Sequence, residues 1–238
     1  MAARNYGQYS GLVSALEQVG ERWAMLIVRD LLVGPRRYSD LKQGLPRIPT
    51  NILSTRLKDL NQAGIVRRMP LAHGLVYTLT DYGRGLEDAI LALERWGFTA
   101  LDEADESDPV TADSISVAFR AAFRPDAAAA AFRTVYDLLF PDFGLTLVVD
   151  GGTLAVTRAP ATSPPATSAH LVFATDARIH DVISGRIDAA QSVQRAAVRV
   201  LSGDPVLLER FTQTFRVETA HTIAPGAEND GVRGLSGA

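Results

Sequence analysis

Thr50-Asn51-Ile52-Leu53-Ser54-Thr55-Arg56-Leu57 is the stretch on which the fold turns. Leu53, Leu57 and Leu60 recur at helical spacing, so one face of this segment is apolar and belongs to a core. The turn Leu45-Pro46-Arg47-Ile48-Pro49 precedes it, Thr50 can cap it, and Gly64 after Ala63 stops it. Thr50, Asn51, Ser54 and Thr55 are short side chains that donate and accept hydrogen bonds. Arg56 adds a guanidinium able to fork onto a guanine or clamp a phosphate.

Working outward, Leu12, Leu16 and Val19 mark a helix over 10–19, and Trp23, Leu26, Ile27 and Leu31 mark one over 22–33. Gly20 separates them and Gly34-Pro35 ends the second. Tyr38-Ser39-Asp40-Leu41 opens a short helix that closes near Gly44. Beyond Gly64, residues 65–68 and 75–78 read as two strands around the loop 69–74. A helix then runs from Thr80 or Asp81 to about Leu101 with Leu86, Ile90, Leu93 and Trp96 on its apolar face. Successive helices, a two-stranded wing and a further helix make a winged helix-turn-helix, whose recognition helix enters a major groove with its N-terminal residues at the base edges.

Charge agrees with that order. The chain of 238 residues carries a net charge of −3. Between 36 and 68, however, stand Arg36, Arg37, Lys42, Arg47, Arg56, Lys58, Arg67 and Arg68, opposed only by Asp40 and Asp59. A basic strip on an acidic chain is the electrostatic footprint of double-stranded DNA binding. Expected contacts are Arg36, Arg37, Tyr38 and Ser39 at the support helix. Pro49, Thr50, Asn51, Ser54, Thr55, Arg56 and Lys58 serve the recognition helix, Arg67 and Arg68 the base of the wing, and His73 its tip.

Other chemistries fit less well. Without cysteine there is no disulfide, thiolate metal site, cysteine nucleophile or thiol sensor. His73, His170, His180 and His221 are scattered singly, so neither a metal nor any other cofactor is expected. No run of about 18 uncharged apolar residues suggests a membrane span, and Met-Ala-Ala-Arg-Asn-Tyr is no signal core, so a cytoplasmic location is expected. An enzyme dimerised by its winged helix, such as a small-molecule methyltransferase, is the alternative. Residues 110–238 show no glycine-rich cofactor loop, no Gly-x-Ser-x-Gly elbow and no paired acid and base, so no catalytic residues are expected. A lipid carrier or interaction module that never meets DNA would leave the basic strip without a purpose.

The second half has its own texture. Residues 102–108, Asp-Glu-Ala-Asp-Glu-Ser-Asp, form an acidic connection before Pro109. Residues 114–123 look helical, 125–131 are alanine-rich, and 132–140 fit helix or strand equally. Strands 144–150 and 153–158 form a hairpin around Gly151-Gly152, 159–168 reads as a flexible loop, and Leu171-Val172-Phe173 continues the sheet. Helices are expected over 176–184, 188–195 and 204–215, a strand at 198–201, and disorder over 221–238.

Glu21-Arg22-Trp23, Leu26-Ile27-Val28-Arg29-Asp30-Leu31, Gly34-Pro35-Arg36-Arg37-Tyr38-Ser39-Asp40-Leu41, Ile52-Leu53-Ser54-Thr55-Arg56-Leu57 and Tyr77-Thr78-Leu79-Thr80-Asp81-Tyr82-Gly83 resemble the HxlR family of winged-helix regulators over about residues 8–101. The resemblance implies a homodimer built through the first and last helices of this half. Leu12, Leu16, Leu86, Ile90, Leu93 and Trp96 are its expected interface. Val13-Ser14-Ala15 stands where many members carry a cysteine, so thiol sensing does not carry over.

Val148-Val149-Asp150-Gly151-Gly152-Thr153-Leu154, Phe173-Ala174-Thr175-Asp176, Ile183-Ser184-Gly185-Arg186 and Val198-Arg199-Val200-Leu201-Ser202-Gly203-Asp204 resemble, more loosely, the SCP-type sterol-carrier domain. That resemblance implies a small sheet backed by helices around an apolar cavity. Leu147, Val149, Leu154, Val156, Phe173, Phe211 and Phe215 would line it for a hydrophobic small molecule, or simply fill it. The expected class is α+β: a winged helix over 1–101, an acidic linker over 102–111, an α/β sandwich-like SCP-type domain over 112–220, and a tail over 221–238. The linker would act as the lever between ligand and recognition helices.

Overall fold

The structure, a computed structural model, describes residues 6–71, 74–129, 132–158 and 169–217. His73, the loop 159–168 and the tail 221–238 lie outside the described residues.

The first half follows the helical pattern of the sequence. Helices α1 (Gly11–Val19), α2 (Ala24–Val33), α3 (Tyr38–Gly44) and α4 (Thr50–Gln62) bury Val19, Ile27, Leu31, Leu41, Leu53, Leu57 and Leu60 in one core. The wing pairs β1 (Val66–Leu71) with β2 (Gly74–Leu79) antiparallel, from Val66 opposite Leu79 to Leu71 opposite Gly74. It is longer than the sequence suggested. Pro70 does not end β1, because a two-stranded ribbon has open edges on which a missing N–H is tolerated.

The long last helix is instead two, α5 (Asp81–Arg84) and α6 (Glu87–Phe98). The break falls at Gly85-Leu86, just after the close-packed Gly83. A Cβ on Gly83 would lie 2.1 Å from the Ile65 carbonyl oxygen, so the chain crosses tightly against the start of the wing. Thr80 caps the short helix, accepting from the Gly83 amide at 3.0 Å while donating to the Gly64 carbonyl at 2.5 Å.

The second half is a five-stranded sheet of order β5-β4-β3-β6-β7. Its strands are β3 (Thr134–Leu139), β4 (Gly144–Asp150), β5 (Thr153–Arg158), β6 (Ala169–Thr175) and β7 (Val198–Gly203). The β3–β6 pair is parallel and the other pairs antiparallel. Gly151 and Gly152, with φ of 53° and 80°, make the β4–β5 turn that glycine permits. The ambiguous stretch 132–140 contains the central strand β3. Val135, Tyr136, Asp137 and Leu138 are all buried there, so no clean alternation could show in the sequence. Helices α7 (Ala112–Ala122), α8 (Pro125–Ala129), α9 (Ile179–Ile183), α10 (Ala189–Gln194) and α11 (Val206–Thr214) complete this half.

Two expectations change here. Nine of the eleven residues of α7 are buried. Val117 packs in the winged-helix core, whereas Ile115, Ala118, Phe119 and Ala122 belong to the sheet core. The helix after the acidic stretch therefore serves both halves. The acidic stretch itself is not a free lever: Arg186 donates to the Leu101 and Asp102 carbonyls, and Arg178 reaches Glu106 at 3.6 Å. Among the described residues no helix is long and apolar enough to cross a membrane.

Candidate nucleic-acid interface

The start of α4 is built as a presenting surface. Pro49, not Thr50, is in the N-cap position, with extended φ and ψ of −63° and 141°, and Thr50 is the first helical residue. Proline fixes φ without spending an amide, and so starts the helix without a side-chain cap. Tyr38 on α3 braces this turn: its hydroxyl donates to the Thr50 carbonyl at 2.8 Å and lies 3.2 Å from Ser54 Oγ. Lys42 donates to the Pro46 carbonyl at 3.0 Å and steadies the preceding turn. Thr55 is half-buried, its hydroxyl turned back onto the Asn51 carbonyl at 2.8 Å. Pro49, Thr50, Asn51, Ser54 and Lys58 remain exposed.

At α3, Asp40 accepts from the Arg37 amide at 2.8 Å, and Arg37 and Ser39 are exposed. On the wing, Arg67 and Arg68 are exposed neighbours and so point to opposite faces of the ribbon. Arg68 lies 5.4 Å over the Tyr77 ring, while Arg67 has the other face. Arg47, which sequence reasoning counted in the basic strip but gave no contact, is exposed in the turn before Pro49. Its place next to the recognition helix was the available signal.

Two arginines are engaged by the protein itself. Arg36 forks onto Asp113 of α7, Nε to Oδ2 at 2.8 Å and Nη2 to Oδ1 at 2.6 Å. The Asp113 hydrogen bonds, working against burial, hold the Arg36 pKa above its ordinary value. Arg56 bonds Asp59 at 2.7 Å and Glu21 at 3.2 Å, and only 13% of its side chain is exposed. The forks expected on phosphate and base are thus filled by carboxylates in this conformation, because both side chains start from half-buried positions where an unpaired guanidinium would be costly.

The expected dimer face divides similarly. Leu12, Leu16, Leu93 and Trp96 are exposed, Trp96 by 69%. Leu86 is half-buried, and Ile90 is 5% exposed, packed in the winged-helix core while also touching the groove between α2 and α6. Met25, Leu26, Leu93, Gly97, Phe98 and Leu101 line a groove of about 310 Å³ between α2 and α6. Glu94 also lines it, and burial raises its pKa, with Arg29 opposing.

The expected ligand wall is a filled core. Leu147, Phe173, Phe211 and Phe215 have no accessible surface and Val149 almost none, so no water-sized void adjoins them. Phe211 packs edge-on against Tyr136 and Phe173 at 5.2 Å and lies 4.9 Å from Phe215. Leu154 and Val156 are half-buried beside a surface groove shared with Glu87, Arg120 and Phe123. The buried Tyr136 hydroxyl has no hydrogen-bond partner among the described residues, and burial pushes its pKa up to about 12.

Residues 18–105 match the family described as HxlR-like helix-turn-helix. Over 86 residues the chain is 43% identical to an HTH-type transcriptional regulator of Mycobacterium tuberculosis, covering 35% of this chain and 54% of that one. It is 35% identical over 86 residues to the HTH-type transcriptional regulator YodB of Bacillus subtilis, covering 35% of this chain and 77% of that one. A crystal structure of quinone-bound YodB from B. subtilis aligns with a TM-score of 0.33 at 34% identity, over 36% of this chain and 93% of that chain. The chain spans about half the length of the first curated relatives it matches.

Proposed function

The chain belongs to the HxlR-like helix-turn-helix family, and from that premise we propose that it is a dimeric, DNA-binding transcription regulator. The observation that carries the reading is the start of α4, where Thr50, Asn51 and Ser54 are exposed on a turn braced by Tyr38, with Lys58 exposed farther along the helix. Arg37, Arg47 and Arg67 flank that turn with exposed positive charge. Short hydrogen-bonding side chains between cations are what base edges and phosphates recognise together. Thr50, Pro49 and Ser39 complete the contact surface, and Arg68 reaches phosphate from the other face of the wing.

Residues 1–101 are the DNA-binding and dimerisation part, 102–111 the connection and 112–220 the regulatory part. Leu12, Leu16, Leu93 and Trp96 meet a second copy. An SCP-like reading of 112–220 is supported by one sheet with its helices on the Tyr136 face. A hydrophobic ligand entering that face must lift α11 with Phe211 and Phe215. Since the 238 residues include no cysteine, no thiol can be the responding group. The relatives are named as transcriptional regulators, and this supports reading the chain as a regulator over the catalytic alternative.

The test is selection of fragments from the source genome by the full-length protein, followed by footprinting. Protection of a two-fold related pair of half-sites about one helical turn apart is the expected result. Recovery of no sequence above background at moderate salt overturns the reading.

A further inference from the structure

The wing is held by a carboxylate from the other half of the chain. Arg36 is bound at both ends. Its backbone forms a two-bond bridge to β2, with its amide donating to the Tyr77 carbonyl at 3.0 Å and the Tyr77 amide donating to its carbonyl at 2.8 Å. Its guanidinium forks onto Asp113, the second residue of α7. The Asp113 side chain is only 3% exposed, and Oδ1 accepts a second guanidinium, Nη2 of Arg158 at the end of β5, at 2.8 Å. One carboxylate therefore joins the sheet, the shared helix and the strand that carries the wing. Tyr77 continues the path, because the Arg68 guanidinium rests on its ring.

The geometry points to Asp113 as the positioning residue for the wing, and so as the route by which a change in the C-terminal half reaches DNA. A bidentate pair fixes angle as well as distance. Movement of α7 therefore turns Arg36 and carries Tyr77 with it, whereas a single-point contact would let the wing slip. The acidic segment 102–108 is not needed as a lever. The DNA end of this path rests on the regulator reading above; the coupling of Asp113 to the wing does not.

The test uses the full-length protein and two variants, Asp113→Asn and Arg36→Lys. The second keeps the charge and the backbone bridge but loses the fork. Amide hydrogen exchange without DNA reads the wing. Exchange at Arg36 and Tyr77 should quicken about tenfold in Asp113→Asn, with the Leu31 amide of α2 unchanged. Arg36→Lys should fall between that variant and the wild type. Affinity for a duplex recovered from the genomic selection should fall several-fold in the same order. If both variants speed all amides alike, or leave Arg36 and Tyr77 at the wild-type rate, the ion pair merely holds the halves together and the proposal is overturned. Should Asp113→Asn fail to fold, Arg36→Lys decides alone on the same criterion. If the wild type binds no duplex, the regulator reading fails, and the exchange measurement still decides the coupling.

Discussion

Val117 and Phe119 stand two positions apart on α7 and belong to opposite cores. Two positions along a helix are about 200° apart, so one helix turns one face to the winged half and the other to the sheet. Such a helix makes each half part of the other's packing. Val117→Ala should destabilise the protein by about 2 kcal/mol, from lost burial and the cavity left behind. Urea unfolding followed by the fluorescence of Trp23 and Trp96, which both lie in the first half, should show an earlier midpoint. An unchanged midpoint would mean that Val117 contributes nothing to the winged core.

Among the aromatic rings of the sheet domain, Tyr136 carries a buried hydroxyl with no hydrogen-bond partner among the described residues. An unpaired buried polar group is a cost that phenylalanine removes with little change of shape. Tyr136→Phe should therefore be more stable, by about 1 kcal/mol. A thermal shift downward would show that the hydroxyl finds a partner in solution.

His180 should make stability depend on pH. Its ring lies 5.6 Å from Phe98, and Nδ1 is 2.9 Å from the Ala177 carbonyl oxygen. Burial lowers its pKa below 6.5, outweighing the Ala177 carbonyl and the charges of Asp181 and Asp108, which raise it; Arg186 also lowers it. The folded state thus prefers the neutral ring. That stability is complete above 6.5 and is lost as pH falls through the depressed folded value. Urea midpoints for the wild type should drop below that pH, and His180→Gln should flatten the decline. Equal slopes for the two proteins would remove His180 from the acid response.

Leu93 and Trp96 are exposed on one side of α6, next to the apolar groove. Leu93→Glu would place a charge where a second copy should pack. Sedimentation should show the wild type as a dimer at micromolar concentration and the variant largely as a monomer. A monomeric wild type would refute the interface.

Much of this was legible in the chain itself. The stripe Leu53, Leu57 and Leu60 set the inner face of α4, and Gly151-Gly152 between apolar strands marked the hairpin. Two things were not. The pairing of Arg36 with Asp113 spans 77 positions, and no local pattern reveals where a cation finds its carboxylate. Arg56 looked like a base reader because its neighbours in sequence are polar, yet Glu21 from the chain before α2 closes over it. The filled aromatic core raised the same difficulty. Alternating apolar residues specify a buried sheet face, but whether a void remains depends on how Phe211 and Phe215 pack, which is a property of volumes and not of periods.

The most direct test of DNA recognition is the salt dependence of duplex binding by the full-length protein. The logarithm of the association constant should fall linearly with the logarithm of salt concentration, and Arg67→Ala should flatten the slope by about one unit. Arg56→Ala, whose guanidinium is engaged by Glu21 and Asp59, should leave the slope unchanged. No measurable binding at low salt, or a slope insensitive to Arg67→Ala, would contradict the account of this face as the DNA-binding surface.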